Sequence, residues 1–281
     1  MIAPADIAYR PRGRFRSNHV GPHPSSEVGG FGVFRDQTPF LRHPDARRID
    51  VRATLRDPFG ETYVRRFEQR CSVDVYALVD LSASMGFVGA AKKFTLVSDL
   101  CAALAYSATR IGDRFGLIGC NQKIRLDLFK PATLSRSAAF RAVQQLRAAR
   151  CEGASAEGLL EAADILGASR KLVLLISDFR WGSHLIERVF EALSLHDTVP
   201  VVVIDSAEET PPRWGLMELT DLESGRRRLM LMRPQLQRGW IARERERHAS
   251  IMRLSASRTR PPIFLRDLLD PIEFSRNLMA T

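Results

Sequence analysis

Three apolar runs, each the length of one strand, constrain this chain more than any other feature. Val73 to Val79, Leu172 to Ile176 and Val199 to Ile204 are rich in Val, Ile and Leu, the texture of strands buried on both faces. Such strands need cover on both sides, the condition met inside a parallel sheet. Helical patterning lies between them. Phe94, Val97, Cys101, Leu104 and Ala108 recur at spacings of three and four within residues 92–110, and similar texture returns at 136–149, 156–167 and 183–196. Strands that alternate with helices build βαβ units. The expected fold is therefore α/β, three-layered, with a mostly parallel, doubly wound sheet.

Other elements fill in around this frame. Gly112-Asp113 ends the first long helix, and Arg114 to Cys120 with Lys123 to Phe129 reads as two strands joined across Asn121-Gln122. Trp214 to Thr220 and Arg226 to Met232 read as a second hairpin, an insertion near residues 213–233. A charged helix over 235–253 and an edge strand at Pro262 to Arg266 complete a main domain expected over 72–281. Residues 1–71 are rich in Arg, Pro, Gly and His and poor in apolar runs. They read as a basic, loop-rich extension whose Phe31, Val33, Phe34, Phe40, Ile49 and Val51 are available to pack on the main domain.

A net charge of +10 favours an acidic partner, whether protein face, nucleic acid or anionic membrane. The four cysteines, Cys71, Cys101, Cys120 and Cys151, form no C-x-x-C pair, and three lie in apolar segments that read as core. That argues against a disulfide framework or a zinc site. No basic-then-apolar leader is present and no apolar run is long enough to span a bilayer, so a soluble, cytoplasmic protein is expected.

The chemistry concentrates where the apolar runs stop. Asp80-Leu-Ser82-Ala-Ser84 directly follows the first strand, and Asp178 follows the second. In an open parallel sheet both carboxylates emerge at the same, ligand-binding end. The D-x-S-x-S alternation aims three side-chain oxygens at one point if the loop is extended. Carboxylates and hydroxyls are hard donors suited to Mg²⁺, Mn²⁺ or Ca²⁺. Serine and aspartate after a strand also make ordinary turns and helix caps.

Asp80-x-Ser82-x-Ser84-Met85 resembles the metal-ion-dependent adhesion site of von Willebrand factor type A domains. In that family a threonine from a second loop and an aspartate from a third complete the site. Gly153-Ala154-Ser155 is similar to the second loop with Ser in place of Thr, and Ile176-Ser177-Asp178-Phe179 to the third. The resemblance implies Ser82, Ser84 and Ser155 as direct ligands. Asp80 and Asp178 would act directly or through water, around a divalent ion, Mg²⁺ first, completed by a partner's Glu or Asp.

Flanking motifs narrow the likeness. Gly21-x-His23-x-Ser25, Gly29-Gly30-x-Gly32, Arg47-Arg48-Ile49-Asp50, Tyr63-Val64-x-Arg66-Phe67-Glu68 and Asp221-x-Glu223-x-Gly225 resemble segments of DUF58 proteins. His43-Pro44-Asp45 stands where that family has Gly-Asp-Asp, and Val51 where it has Trp; many relatives also carry an upstream transmembrane pair. The family is typically encoded beside MoxR-type AAA+ ATPases. The resemblance implies an adaptor for such a motor and a client protein, and one branch of that system serves maturation of periplasmic methanol dehydrogenase.

Enzymatic readings fare worse. Neither Ser82 nor Ser155 sits in a G-x-S-x-G elbow, since Gly158 falls one place too late after Ser155. The histidines, His19, His23, His43, His184, His196 and His248, show no H-E-x-x-H spacing and read as surface or loop residues. No G-x-x-x-x-G-K-[ST] phosphate loop occurs. A metal-dependent hydrolase using Asp80 and Asp178 would want more carboxylates for a second ion. Nucleic-acid binding could draw on Arg226-Arg227-Arg228 and on Arg243, Arg245 and Arg247. Glu244 and Glu246 interrupt the latter, which reads as a solvated helix face with ion pairs.

Overall fold

The computed structural model describes residues 5–17, 19–29, 33–222 and 225–280, in two compact units. Phe31, the Gly30-Phe31-Gly32 part of the glycine motif and Glu223 lie outside the described residues.

Gly13–Val73 forms the smaller unit. Its strands β1 (His23–Gly29), β2 (Val33–Pro39) and β3 (Tyr63–Cys71) make an antiparallel sheet in the order β1-β3-β2. A short helix, α1 (Val51–Arg56), precedes β3. The loop-rich texture of this segment therefore conceals hydrogen-bonded strands. Within β3, Val64 and Cys71 are buried, while Arg65 and Arg66 ion-pair with Asp50 and Asp36. Asp50, the acid of the Arg-x-Ile-Asp motif, joins these pieces. Its carboxylate accepts from the N–H groups of Arg52 and Ala53 at 3.0 and 3.1 Å and from Gln37 Nε2 and Arg65 Nε, each at 2.7 Å. The Arg65 bond and the helix-start amides hold this carboxyl far below the usual carboxylate range.

The larger unit comprises Asp74–Thr281 with the Met1–Arg12 segment. Its strands are β4 (Asp74–Asp80), β5 (Arg114–Cys120), β6 (Ile124–Thr133), β7 (Leu172–Ser177) and β8 (Asp197–Ile204), then the hairpin β9 (Gly215–Thr220) and β10 (Arg227–Met232), and finally β11 (Ile263–Arg266). Its helices are α2 (Lys93–Ile111), α3 (Arg136–Ala148), α4 (Gly158–Leu166), α5 (Ser183–Ala192), α6 (Ser206–Glu209), α7 (Pro234–Ser255) and α8 (Pro271–Ala280). Six strands run in the order β11-β8-β7-β4-β5-β6. All neighbours are parallel except β5 and β6, the expected hairpin. Every residue of β7 and β8 is buried, which is why these runs show no alternation. The three-layer, mostly parallel α/β fold is the expected one.

Two boundaries have local causes. Helix α2 ends because Gly112 takes the left-handed conformation at φ 90°. The segment before residue 13 belongs to the larger unit: Ile7 N–H donates to Ser107 Oγ at 2.7 Å and Tyr9 hydroxyl to Asp113 at 2.7 Å. Cys71, Cys101 and Cys120 are buried free thiols, and Cys151 is a partly buried one. Among the described residues no helix is long and apolar enough to cross a membrane.

Candidate functional site

Strand β4 ends on Asp80 and β7 on Ser177, one residue before Asp178. These strands are adjacent and parallel, with Val79 opposite Ile176, so both carboxylates emerge side by side at the carboxyl edge of the sheet. The chain beyond Asp80 turns at once. Asp80 Oδ1 accepts from the Ser82 N–H at 2.8 Å, and a short 3-10 turn over Ala83–Gly86 follows. That turn aligns the two serine hydroxyls, whose oxygens lie 3.2 Å apart. Ser84 Oγ reaches on to Asp178 Oδ1 at 3.4 Å. Asp80 and Ser82 are 0% exposed, Asp178 1% and Ser84 9%.

Ser155 stands apart from these four. Its hydroxyl accepts from the Glu157 N–H at 3.1 Å, a turn ahead of α4. Its loop is nevertheless tied to the Asp80 loop, through Ala83 N–H to Gly153 O at 3.0 Å and Glu152 N–H to Leu81 O at 2.8 Å. The structure thus brings Asp80, Ser82, Ser84 and Asp178 into direct contact and sets Ser155 on an adjoining, hydrogen-bonded loop.

Several groups at this site escaped the sequence reading. Asp80 Oδ2 accepts from Ser177 Oγ at 2.6 Å and from Trp181 Nε1 at 2.9 Å, and the Trp181 ring stacks on Phe179 with centroids 5.1 Å apart. Lys93, the first residue of α2, is 1% exposed. Its ammonium donates to Asp178 Oδ2 at 3.0 Å and contacts Glu208. Arg247 donates to the Asp178 carbonyl at 2.6 Å, and Glu244 pairs with both Arg180 and Arg247. The face of α7 expected to be solvated is therefore divided. Arg243, Arg245 and Glu246 are exposed, while Glu244, Arg247 and His248 are half-buried. A second correction concerns His196, which is buried rather than on the surface.

Burial, and then the charge of Asp178, push the Asp80 carboxyl above its usual value, against the pull of its bonds from Ser177 and Ser82. A cation beside the pair would oppose both effects. Burial, then the charges of Asp80 and Asp178, also drive the Cys151 thiol up to about 12, leaving it inert. The converging donors are all hydroxyl or carboxylate oxygen, the chemistry a hard divalent ion selects. Among the described residues no group of three or more His, Cys, Asp and Glu side chains could hold a metal ion. Any ion here must therefore rely on the serine hydroxyls.

Asp205, just beyond β8, is a third strand-end carboxylate with a different use. It accepts from the N–H groups of Gly89, Ala90 and Ala91 at 3.1, 3.0 and 3.0 Å and of Ala207 at 2.9 Å. It thereby fixes the loop that delivers Lys93.

Residues 41–250 match the model of a family described as protein of unknown function DUF58. The chain is 38% identical over 103 residues, 35% of its length and 94% of the other, to an uncharacterized protein in the moxR 3' region of Paracoccus denitrificans. Among solved structures it is similar to the conserved hypothetical protein BatB of Bacteroides thetaiotaomicron, with 13% identity, 74% and 97% of the two chains covered, and a TM-score of 0.43. It is also similar to the SpRpn10 VWA domain, with 9% identity, 74% and 94% covered, and a TM-score of 0.39. Since the family model spans most of the sequence, from residue 41 to residue 250, the chain belongs to the DUF58 family.

Proposed function

We propose that this protein is a protein-interaction module that works with a MoxR-type AAA+ ATPase and grips its partner through a divalent cation, Mg²⁺ in the first instance. The observation that carries this reading is the convergence of the Ser82, Ser84 and Asp178 oxygens at the end of the sheet, with Asp80 behind them. The moxR-region relative supports the choice of ATPase. Ser82, Ser84 and Asp178 would hold the ion, joined by Ser155 from its adjoining loop. Bound there, the ion would supply a positive centre that takes up a carboxylate of the partner.

The chain's own residues do the positioning. Asp80 fixes Ser82 through the Ser82 N–H and is itself held by Ser177 and Trp181. Arg247 holds the Asp178 backbone from α7. No serine here has a histidine base beside it among the described contacts, and we assign the site to binding rather than turnover. The client belongs to the same proposal, a protein complex such as methanol dehydrogenase whose maturation the ATPase drives.

The test is capture of the ATPase from the native host on immobilised wild-type protein in Mg²⁺, then in EDTA. A Ser82→Ala, Ser84→Ala double variant, which leaves Asp80 in place, should lose what EDTA removes. Capture that survives both would show the ion to be incidental.

A further inference from the structure

Lys93 occupies a place that neither helix propensity nor solvation explains. It opens α2, where a positive charge opposes the helix dipole, and it is 1% exposed. Burying an ammonium costs several kcal/mol unless charge partners return it. Those partners are specific. Nζ lies 3.0 Å from Asp178 Oδ2 and 3.4 Å from the Ser84 carbonyl oxygen, and it contacts the Glu208 carboxylate. The Phe87 ring lies under it at 5.5 Å, and Arg180 closes the far side, 3.6 Å from Glu208.

The same Asp178 presents its other oxygen to Ser84. One carboxylate thus faces the converging hydroxyls with Oδ1 and a buried ammonium with Oδ2. Asp80, Asp178 and Glu208, set against Lys93 and Arg180, leave one net negative charge in this inner cluster. A divalent ion would turn that into one net positive charge, and a single carboxylate from outside would restore neutrality.

Resting on the metal-site reading above, we propose that Lys93 is a tethered counter-cation that competes with the divalent ion for Asp178. It keeps the ion weakly held until a partner's carboxylate joins it. Ion and acidic partner then bind cooperatively, because each offsets the charge that the other leaves uncompensated. Glu208 is the second berth of the ammonium, ready to take more of it when Asp178 turns to the metal.

The experiment measures Mn²⁺ binding to the full chain by calorimetry, for wild type, Lys93→Met, Lys93→Arg and Glu208→Gln. Lys93→Met should bind Mn²⁺ roughly tenfold tighter or more, since a unit charge a few ångströms away is removed. Its metal-free melting temperature should fall and be largely regained with Mn²⁺. Lys93→Arg, which keeps the charge, should stay near wild type. Glu208→Gln leaves Asp178 as the only carboxylate on the ammonium and should weaken Mn²⁺ binding several-fold, so the proposal stays testable if Lys93→Met does not fold. Folded Lys93→Met with unchanged or weaker affinity, or Glu208→Gln with unchanged affinity, overturns the counter-cation role while leaving the metal reading intact. Absence of Mn²⁺ binding in all four proteins overturns both.

Discussion

Removing the Asp205 carboxylate should destabilise the protein more than any single change on its surface. Asp205 is 0% exposed, and each of its oxygens accepts two backbone N–H groups. Ala90 and Ala207 bond to Oδ1, and Gly89 and Ala91 to Oδ2. Hydrogen bonds to a charged group are worth about 1.5–3 kcal/mol each, and an orphaned buried donor costs about 1–3 kcal/mol. Water entering the vacated space would satisfy some of the four, so Asp205→Ala should cost about 3–5 kcal/mol, in the range of other buried-network losses. Asp205→Asn keeps one acceptor oxygen and sets an amide against the other pair of donors; about 2–3 kcal/mol is expected. Burial alone would raise this carboxyl, but the four amides prevail and hold it below the usual value. A group depressed in the folded state contributes fully above its unfolded pKa of about 3.9, and the contribution fades as pH falls through the folded value. Urea unfolding should therefore show a gap between wild type and Asp205→Ala that is flat from pH 7 to 5 and narrows below about pH 4. A gap under about 1 kcal/mol at pH 7, or one that shrinks between pH 7 and 5, would refute the account.

Three further outcomes follow from the same contacts. Arg260 is 4% exposed and forks onto Asp197 at 2.8 and 2.6 Å; Arg260→Met leaves that carboxylate with the Arg12 N–H but no counter-charge and should cost about 3–5 kcal/mol in denaturant unfolding. Gly158 has no room for a side chain, since a Cβ there would lie 2.5 Å from the Lys123 carbonyl carbon. Gly158→Ala should lose about 1–3 kcal/mol and shift the α4 amide resonances. His196 and His248 are each held down at about 4, mainly by burial. Both therefore favour the folded state above their unfolded value of about 6.5 and forfeit that support as pH falls from there through about 4. A His196→Gln, His248→Gln double variant should show a flatter stability profile between pH 6.5 and 4; an unchanged slope would count against buried neutral imidazoles.

The main frame of the fold was legible because β4, β7 and β8 are buried on both faces and leave no polar interruption to misread. Helix α8 was missed although its start signal was present: Asp270 Oδ1 accepts from the Ile272 and Glu273 N–H groups at 2.8 and 3.1 Å, with Pro271 at the first position. Its inward face is only Phe274 and Leu278, too short a stripe to show periodicity. The smaller unit was read as loop-rich because arginines break the apolar pattern of β3, and Arg65 and Arg66 find their acids, Asp50 and Asp36, on other elements. At the site, D-x-S-x-S could be read as local chemistry. Lys93, Trp181, Glu208 and Arg247 could not, because each owes its role to a partner on another element. Lys93 in particular reads as the solvated start of a helix until the fold closes Asp178 and Glu208 over it.

An aspartate ends β4 and another stands just beyond each of β7 and β8; the resemblance points to Asp80 and Asp178, but strand-end position alone does not rank Asp80, Asp178 and Asp205. Their hydrogen bonds do. Asp205 has both oxygens saturated by rigid backbone donors, so no ion could draw on it without unmaking the loop before α2. Asp80 is held by one backbone amide, a serine hydroxyl and an indole N–H; it can lend charge to an ion while its geometry stays pinned. Asp178 is the most yielding. Its side-chain oxygens meet a hydroxyl at 3.4 Å, an amide at 3.2 Å and a tethered ammonium at 3.0 Å, and the first and last of these sit on side chains that can turn. The sheet edge thus carries one carboxylate saturated by backbone amides, one pinned by mixed donors and, on the proposed metal site, one exchangeable carboxylate. Only the exchangeable one can change partners without disturbing the backbone, and it is the one that faces Ser84 and Lys93 together.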